Sequence, residues 1–176
     1  MNNKTLMDNL RSIPDFPKVG INFRDVTTLF KDAECMKIMV DEMYELYKDK
    51  GITKIVGIES RGFVMAAALA AKLGAGVVLA RKPGKLPATV IKGVYTKEYG
   101  VDVIEMHIDS IEENDVVLIH DDLLATGGTA LATYKLVKTL NPKNIYMNFI
   151  IEITDEGLHG RKVLEEYADV TTLITI

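Results

Sequence analysis

Several things are scarce in this chain, and each scarcity excludes something. There is one cysteine, Cys35, so no internal disulfide can form, which suits a reducing cytosol. No histidine stands near it in a nucleophile pattern, and a buried thiol on a helix face is the plainer reading. Basic charge is not in surplus: 21 Lys and Arg stand against 25 Asp and Glu. A net charge of -4 argues against a general nucleic-acid-binding face, though it leaves room for a local basic pocket. No apolar run approaches the roughly 18–20 residues of a membrane span. The opening MNNKTLMDNLRS has no apolar core of the signal-peptide kind. A cytoplasmic protein with neither membrane nor nucleic-acid partner is therefore expected. No repeat or low-complexity segment is present, and 48% of the 176 residues are hydrophobic, enough for one domain with a sizeable core.

The common phosphate-binding sequences are missing too. There is no GxxxxGK[ST] and no GxGxxG. What stands instead is Val116–Leu131, VVLIHDDLLATGGTAL: an apolar run, two acids, a Gly-containing turn and the start of a helical pattern. A strand, a tight turn and a helix N-terminus place backbone N–H groups around a phosphate. Gly127 and Gly128 allow close backbone approach. Thr126 and Thr129, with Ala125 completing the turn, add hydroxyl donors and possible caps. Asp121 and Asp122 would repel a phosphate, so they should address another part of the same ligand. Ionised carboxylates accept hydrogen bonds and cannot donate them, which suits a pair of sugar hydroxyls, with room for a metal ion beside them. Phosphate on the turn and hydroxyls on the acids together describe a ribose 5-phosphate.

The rest of the chain alternates strands and helices. Helical spacing covers Thr5–Ile13, Asp32–Lys50, Phe63–Leu73, Thr129–Leu140 and Leu158–Tyr167. The Met36, Met39, Met43 stripe of the second helix reads as core. Apolar strands cover Lys54–Ile58, Gly76–Ala80, Asp115–Ile119, Asn144–Ile151 and Val170–Ile176, and Ala88–Val94 should pair with Val101–His107 around a flap. The pattern predicts an α/β domain with a mostly parallel central sheet flanked by helices, preceded by a small N-terminal hood over residues 1–28. In such sheets ligands sit at the carboxyl ends of strands, and every motif here lies at such an end. After Ile58 comes Glu59-Ser60-Arg61-Gly62, whose arginine suits a diphosphate or simply caps a turn. After Ala80 come Arg81, Lys82 and Lys85, either a solvated basic turn or a clamp for a multiply charged anion. The loop Phe16–Asp25 holds Phe16, Ile21 and Phe23, which read as anchors to the core or as a lid over a flat ligand. His120, where an apolar residue is expected, reads as a structural strand-end histidine packed beside the acids.

HDDLLATGGTA resembles the phosphoribosyl-diphosphate motif of type I phosphoribosyltransferases, and DDLLATGGT is especially similar to the adenine-specific members. GINFRD, ESRG, RKPGKLP and EYG match the same family in the same order, across essentially the whole chain. The resemblance implies that adenine and 5-phosphoribosyl 1-diphosphate become AMP and diphosphate with Mg²⁺, in a homodimer. It places Asn22 and Arg24 at the edge of the base, Phe23 by its ring and Ile153 on its opposite face. It gives the diphosphate to Ser60, Arg61 and Gly62, and phosphates to Arg81, Lys82 and Lys85, some of them from the partner subunit. Glu98 is then a candidate proton-handling group and Tyr99 a lid contact. Ala125–Thr129 would hold the 5-phosphate, with Asp121 and Asp122 on the ribose. Two alternatives are another purine base such as hypoxanthine, against which GINFRD argues, and a non-catalytic sensor of the same ligand, for which the chain has no spare domain.

Overall fold

In the computed structural model, which describes residues 3–97, 100–154 and 157–176, the apolar runs become strands, the inner ones buried on both faces. The chain opens with α1 (Lys4–Asn9), β1 (Arg11–Ile13), β2 (Phe23–Asp25) and the single-turn α2 (Thr27–Phe30). There follow α3 (Ala33–Tyr47), β3 (Lys54–Ile58), α4 (Gly62–Leu73) and β4 (Gly76–Ala80). A hairpin, β5 (Val90–Lys97) and β6 (Gly100–His107), precedes β7 (Val116–Leu124) and α5 (Gly128–Thr139). Then β8 (Asn144–Glu152), α6 (Gly160–Leu164) and β9 (Asp169–Thr175) complete the fold.

The central sheet has five strands in the order β4-β3-β7-β8-β9, each neighbouring pair parallel. From β3 the chain steps outward to β4, and from β7 it steps the other way to β8 and β9. The connections thus diverge between β3 and β7, which opens a crevice at their carboxyl ends. Successive side chains enter opposite cores, as the pleat requires. Ile55, Leu118 and Ile150 pack with Met39, Met43, Met65 and Leu69 on the α3–α4 side. Val56, Ile119, Met147 and Phe149 pack with Leu136, Val137, Ile104 and Met106 on the side of α5 and the hairpin. Burial on both faces is why these strands are apolar throughout rather than alternating. The methionine stripe is core as expected. Cys35 is fully buried; burial and the neighbouring Asp32 push its thiol up to about 11, so it stays protonated and inert. Among the described residues no helix is long and apolar enough to cross a membrane.

Several boundaries differ from the sequence expectation: α3 stops at Tyr47 and β5 runs from Val90 to Lys97, and three further differences have a clear cause. The first helix ends at Asn9, and Arg11–Ile13 is instead a strand antiparallel to Phe23–Asp25. There Arg11 Nε donates to Asp25 Oδ2 at 3.0 Å, and Arg11 N to Thr28 Oγ1 at 3.2 Å, so long-range pairing overrides local periodicity. Strand β7 runs five residues past Ile119, carrying His120, Asp121 and Asp122 within it, because β8 continues to pair with it through Leu124↔Glu152. The expected helix Leu158–Tyr167 shrinks to Gly160–Leu164; its first residue packs against the turn after β7.

Candidate active site

The turn after β3 forms one wall of the crevice. Glu59 anchors it sideways: Glu59 Oε2 accepts from Lys82 N at 2.8 Å and from Arg81 Nε at 3.2 Å. Burial raises the Glu59 pKa, but these two partners and Lys85 outweigh it and hold the carboxyl below its ordinary value. The Glu59–Ser60 peptide is cis. Gly62 then lies directly on β7. A Cβ there would stand 2.8 Å from His120 O and 3.1 Å from Asp121 Oδ1, so only glycine allows this approach.

The other wall is the end of β7. Asp122 is buried, and its Oδ2 lies 2.6 Å from Arg61 Nε as an ion pair across the crevice. Asp121 sits beside it with only distant help from Arg61. Burial, and then the charge of Asp122, raise the Asp121 carboxyl well above the usual carboxylate range. Glu59, Ser60, Arg61, Lys82, Asp121 and Asp122 line a polar cleft of about 320 Å³.

A second hollow, about 200 Å³, adjoins it and shares Asp121. Its lining includes Ala125, Thr126, Gly127, Gly128 and Thr129 over Phe149. Gly127 is left-handed at φ 78° and leads straight into the N-terminus of α5. Among the described residues no acceptor is paired with the amides of Thr126 and Gly127. A helix N-terminus with unpaired amides suits an anion, and the turn and helix start fall where the sequence expected them.

The structure gathers Ser60, Arg61, Lys82, Asp121, Asp122 and the 125–129 turn into these hollows, while Gly62 lies beside them against β7. It does not bring Arg81 or Lys85 into them. Arg81 is turned onto Glu59 and lies over the Phe63 ring at 5.9 Å, with its Nη1 donating to Lys85 O at 3.2 Å. The hood reaches the site through Phe23, whose ring centroid is 5.7 Å from Arg61 Cζ and which meets Phe16 edge-on at 5.3 Å. Asn22 is exposed, Arg24 is bonded to Ser12, and half-buried Ile153 lies just beyond β8 with its N–H on Leu124 O at 2.9 Å. Glu98 and Tyr99 lie outside the described residues. His120 is structural: fully buried, with Nδ1 3.0 Å from Asn148 Oδ1. Two residues escaped sequence reading. Glu59 was seen only as part of a turn, and Gly160 as an interior helix residue; neither carries a local signal, since each acts on a segment distant in sequence.

Crevice, diphosphate-type turn and amide-lined turn together define a phosphoribosyltransferase, and the family model of the phosphoribosyl transferase domain matches residues 27–175. Over all 176 residues the chain is 62% identical to the adenine phosphoribosyltransferase of Phocaeicola vulgatus, covering 100% of both chains. It superposes on the adenine phosphoribosyltransferase of Rhodothermus marinus with a TM-score of 0.91 at 46% identity, covering 98% of this chain and 97% of that one. The Giardia lamblia enzyme, complexed with 9-deazaadenine, gives a TM-score of 0.93 at 39% identity, covering 100% and 98%. The chain belongs to the phosphoribosyltransferase family, and within it to the adenine phosphoribosyltransferases.

Proposed function

We propose that this protein joins adenine to 5-phosphoribosyl 1-diphosphate, releasing AMP and diphosphate, a reaction of purine salvage. The observation that carries the reading is the pair of adjoining hollows sharing Asp121. One is amide-lined and suits a terminal phosphate. The other holds Arg61 and Lys82 and suits a diphosphate. The acids between them suit the ribose hydroxyls. For the base, support comes from the relatives' shared specificity and from the 9-deazaadenine held by the Giardia enzyme. Phe23, beside Arg61, is then the ring neighbour of adenine, with Asn22 and Arg24 at its edge and Ile153 opposite.

In the reaction, N9 of adenine forms a bond to the anomeric carbon as the bond from that carbon to the diphosphate oxygen breaks. Positive charge develops on the sugar in an oxocarbenium-like transition state. Asp121 and Asp122 stabilise that charge. Arg61 and Lys82 receive the leaving diphosphate, and the turn at 125–129 keeps the 5-phosphate fixed so that the ring stays aligned. Among the described residues no group of three or more acids, histidines or cysteines is placed to hold a metal alone. Two adjacent carboxylates, of which Asp122 is paired with Arg61, do fit a cation carried mainly by the substrate. When bound, Mg²⁺ would neutralise charge on the departing diphosphate. In this reading Glu98 relays the proton of N9, and Tyr99 is a lid contact that helps exclude the water that would compete as nucleophile. The enzyme works as a cytoplasmic homodimer, with Arg81 and Lys85 serving the subunit contact and the phosphates near it.

The test is a base panel. With Mg²⁺ and 5-phosphoribosyl 1-diphosphate, kcat/KM should be highest for adenine and lower by orders of magnitude for hypoxanthine and guanine. Equal turnover of hypoxanthine would replace adenine in this reading, and no turnover of any base would replace catalysis by ligand sensing.

A further inference from the structure

We infer that Gly160 is a positioning residue for the 5-phosphate, clamping the 125–127 turn from behind; this rests on the reading that the turn holds that phosphate. The residue after β8 and the first residue of α6 each donate a backbone hydrogen bond to the end of β7 or the turn that follows it. Ile153 N donates to Leu124 O at 2.9 Å, and Gly160 N donates to Ala125 O at 3.0 Å. The second brings two glycines into contact. A Cβ on Gly127 would stand 3.1 Å from Gly160 Cα and 3.2 Å from Gly160 O. A Cβ on Gly160 would overlap Ala125 O outright and lie 2.7 Å from Leu124 Cδ1 and 2.9 Å from Gly127 N.

Gly127 needs its glycine for a left-handed backbone, but Gly160 is not among the residues of positive φ. Space alone demands glycine there, and what fills that space is the backbone of the phosphate turn. A side chain at 160 must therefore move either α6 or the turn. Helix α6 is the better anchored. Arg161 donates to both Glu152 oxygens at 2.6–2.9 Å, to Thr172 Oγ1 at 2.9 Å and to Val170 O at 3.0 Å, locking α6 onto β8 and β9. Among the described residues the turn has no comparable anchor on its open side, so the turn yields. Displacing it misdirects the amides that meet the phosphate while leaving the base-binding hood untouched.

Steady-state kinetics of Gly160→Ala read this directly. KM for 5-phosphoribosyl 1-diphosphate should rise roughly tenfold or more, since displacements near 1 Å have effects of that order. KM for adenine should stay within about twofold, and AMP affinity by calorimetry should fall in parallel. A merely structural glycine would lower Tm and leave the ratio of the two KM values unchanged, and that result overturns the clamp. If Gly160→Ala does not fold, Arg161→Ala decides. Loosening α6 without crowding should raise the same KM selectively, and an unchanged KM overturns the inference. Wild-type enzyme that fails to turn over adenine would instead overturn the functional reading on which it rests.

Discussion

Asp121 is the least comfortable residue in the protein. Its carboxyl is held toward the protonated form by burial and by Asp122. The sign is fixed by linkage. A carboxyl whose folded pKa is raised above its unfolded value destabilises the fold as pH climbs through that interval, and the whole penalty is present above it. Asp121→Asn should therefore raise Tm at pH 7 while lowering kcat, a trade between stability and activity expected where a site is built for charge that arrives with the substrate. Thermal unfolding beside steady-state rates checks both signs. His120 behaves oppositely. Asn148 Nδ2 donates to Thr171 Oγ1 at 2.8 Å, which leaves Asn148 Oδ1 to accept from His120 Nδ1–H. His120 Nε2 has no partner among the described residues, so protonation would bury a donor with nothing to receive it. Burial lowers its pKa to about 4. The fold therefore loses stability as pH falls from about 6.5 towards 4, by an amount on the order of 3 kcal/mol. Urea denaturation at both ends of that window should show a steeper loss for wild type than for His120→Asn. At this scale the sequence disclosed the acids, the glycines of the turn and the structural character of His120. It did not disclose that Arg61 pairs with Asp122 or that Glu59 holds Arg81, because those partners meet only once β3, β4 and β7 are side by side.

The elements that position the site were legible where their signal is local. Strands β3 and β4 match their apolar runs residue for residue, and α5 begins one residue before Thr129. The end of β7 was not legible. Asp121 and Asp122 look like turn residues, and only pairing with β8 keeps them in the sheet. That difference matters chemically: acids on a strand are rigid, whereas acids on a loop are not. Gly62 makes the adjoining contact possible, and Gly62→Ala should push the 59–62 turn off β7. Its expected signature is a kcat/KM lower by roughly 10²-fold with the fold retained by circular dichroism; full activity would mean that the turn tolerates the extra atom. The hairpin β5–β6 is tied to the sheet at its base, where Arg81 and Glu105 exchange backbone hydrogen bonds of 2.8 and 2.7 Å. Glu105 accepts from Gly84 N at 2.9 Å and pairs with Lys92 at 3.0 Å. The proposed function makes this hairpin a cover for the crevice. Deleting residues 96–100 should accordingly lower kcat by roughly 10²-fold while AMP affinity by calorimetry changes little. Parallel collapse of both would make the flap a binding element.

At the scale of the whole molecule, one topological feature organises everything described. The direction in which the chain winds through the sheet reverses between β3 and β7, the crevice opens there, and the two turns face each other across it. The homodimer proposed from RKPGKLP predicts a single dimeric species by sedimentation at micromolar concentration, and a lone monomer would count against it. The central claim is that Asp121 and Asp122 act on charge developing in the sugar rather than on binding as such. Its most direct test is kcat for the double variant Asp121→Asn, Asp122→Asn with adenine and 5-phosphoribosyl 1-diphosphate, beside AMP affinity for the same protein. The expected result is a kcat lower by roughly 10²-fold or more with AMP affinity changed far less and the fold intact by circular dichroism. A kcat near that of the wild type would contradict it.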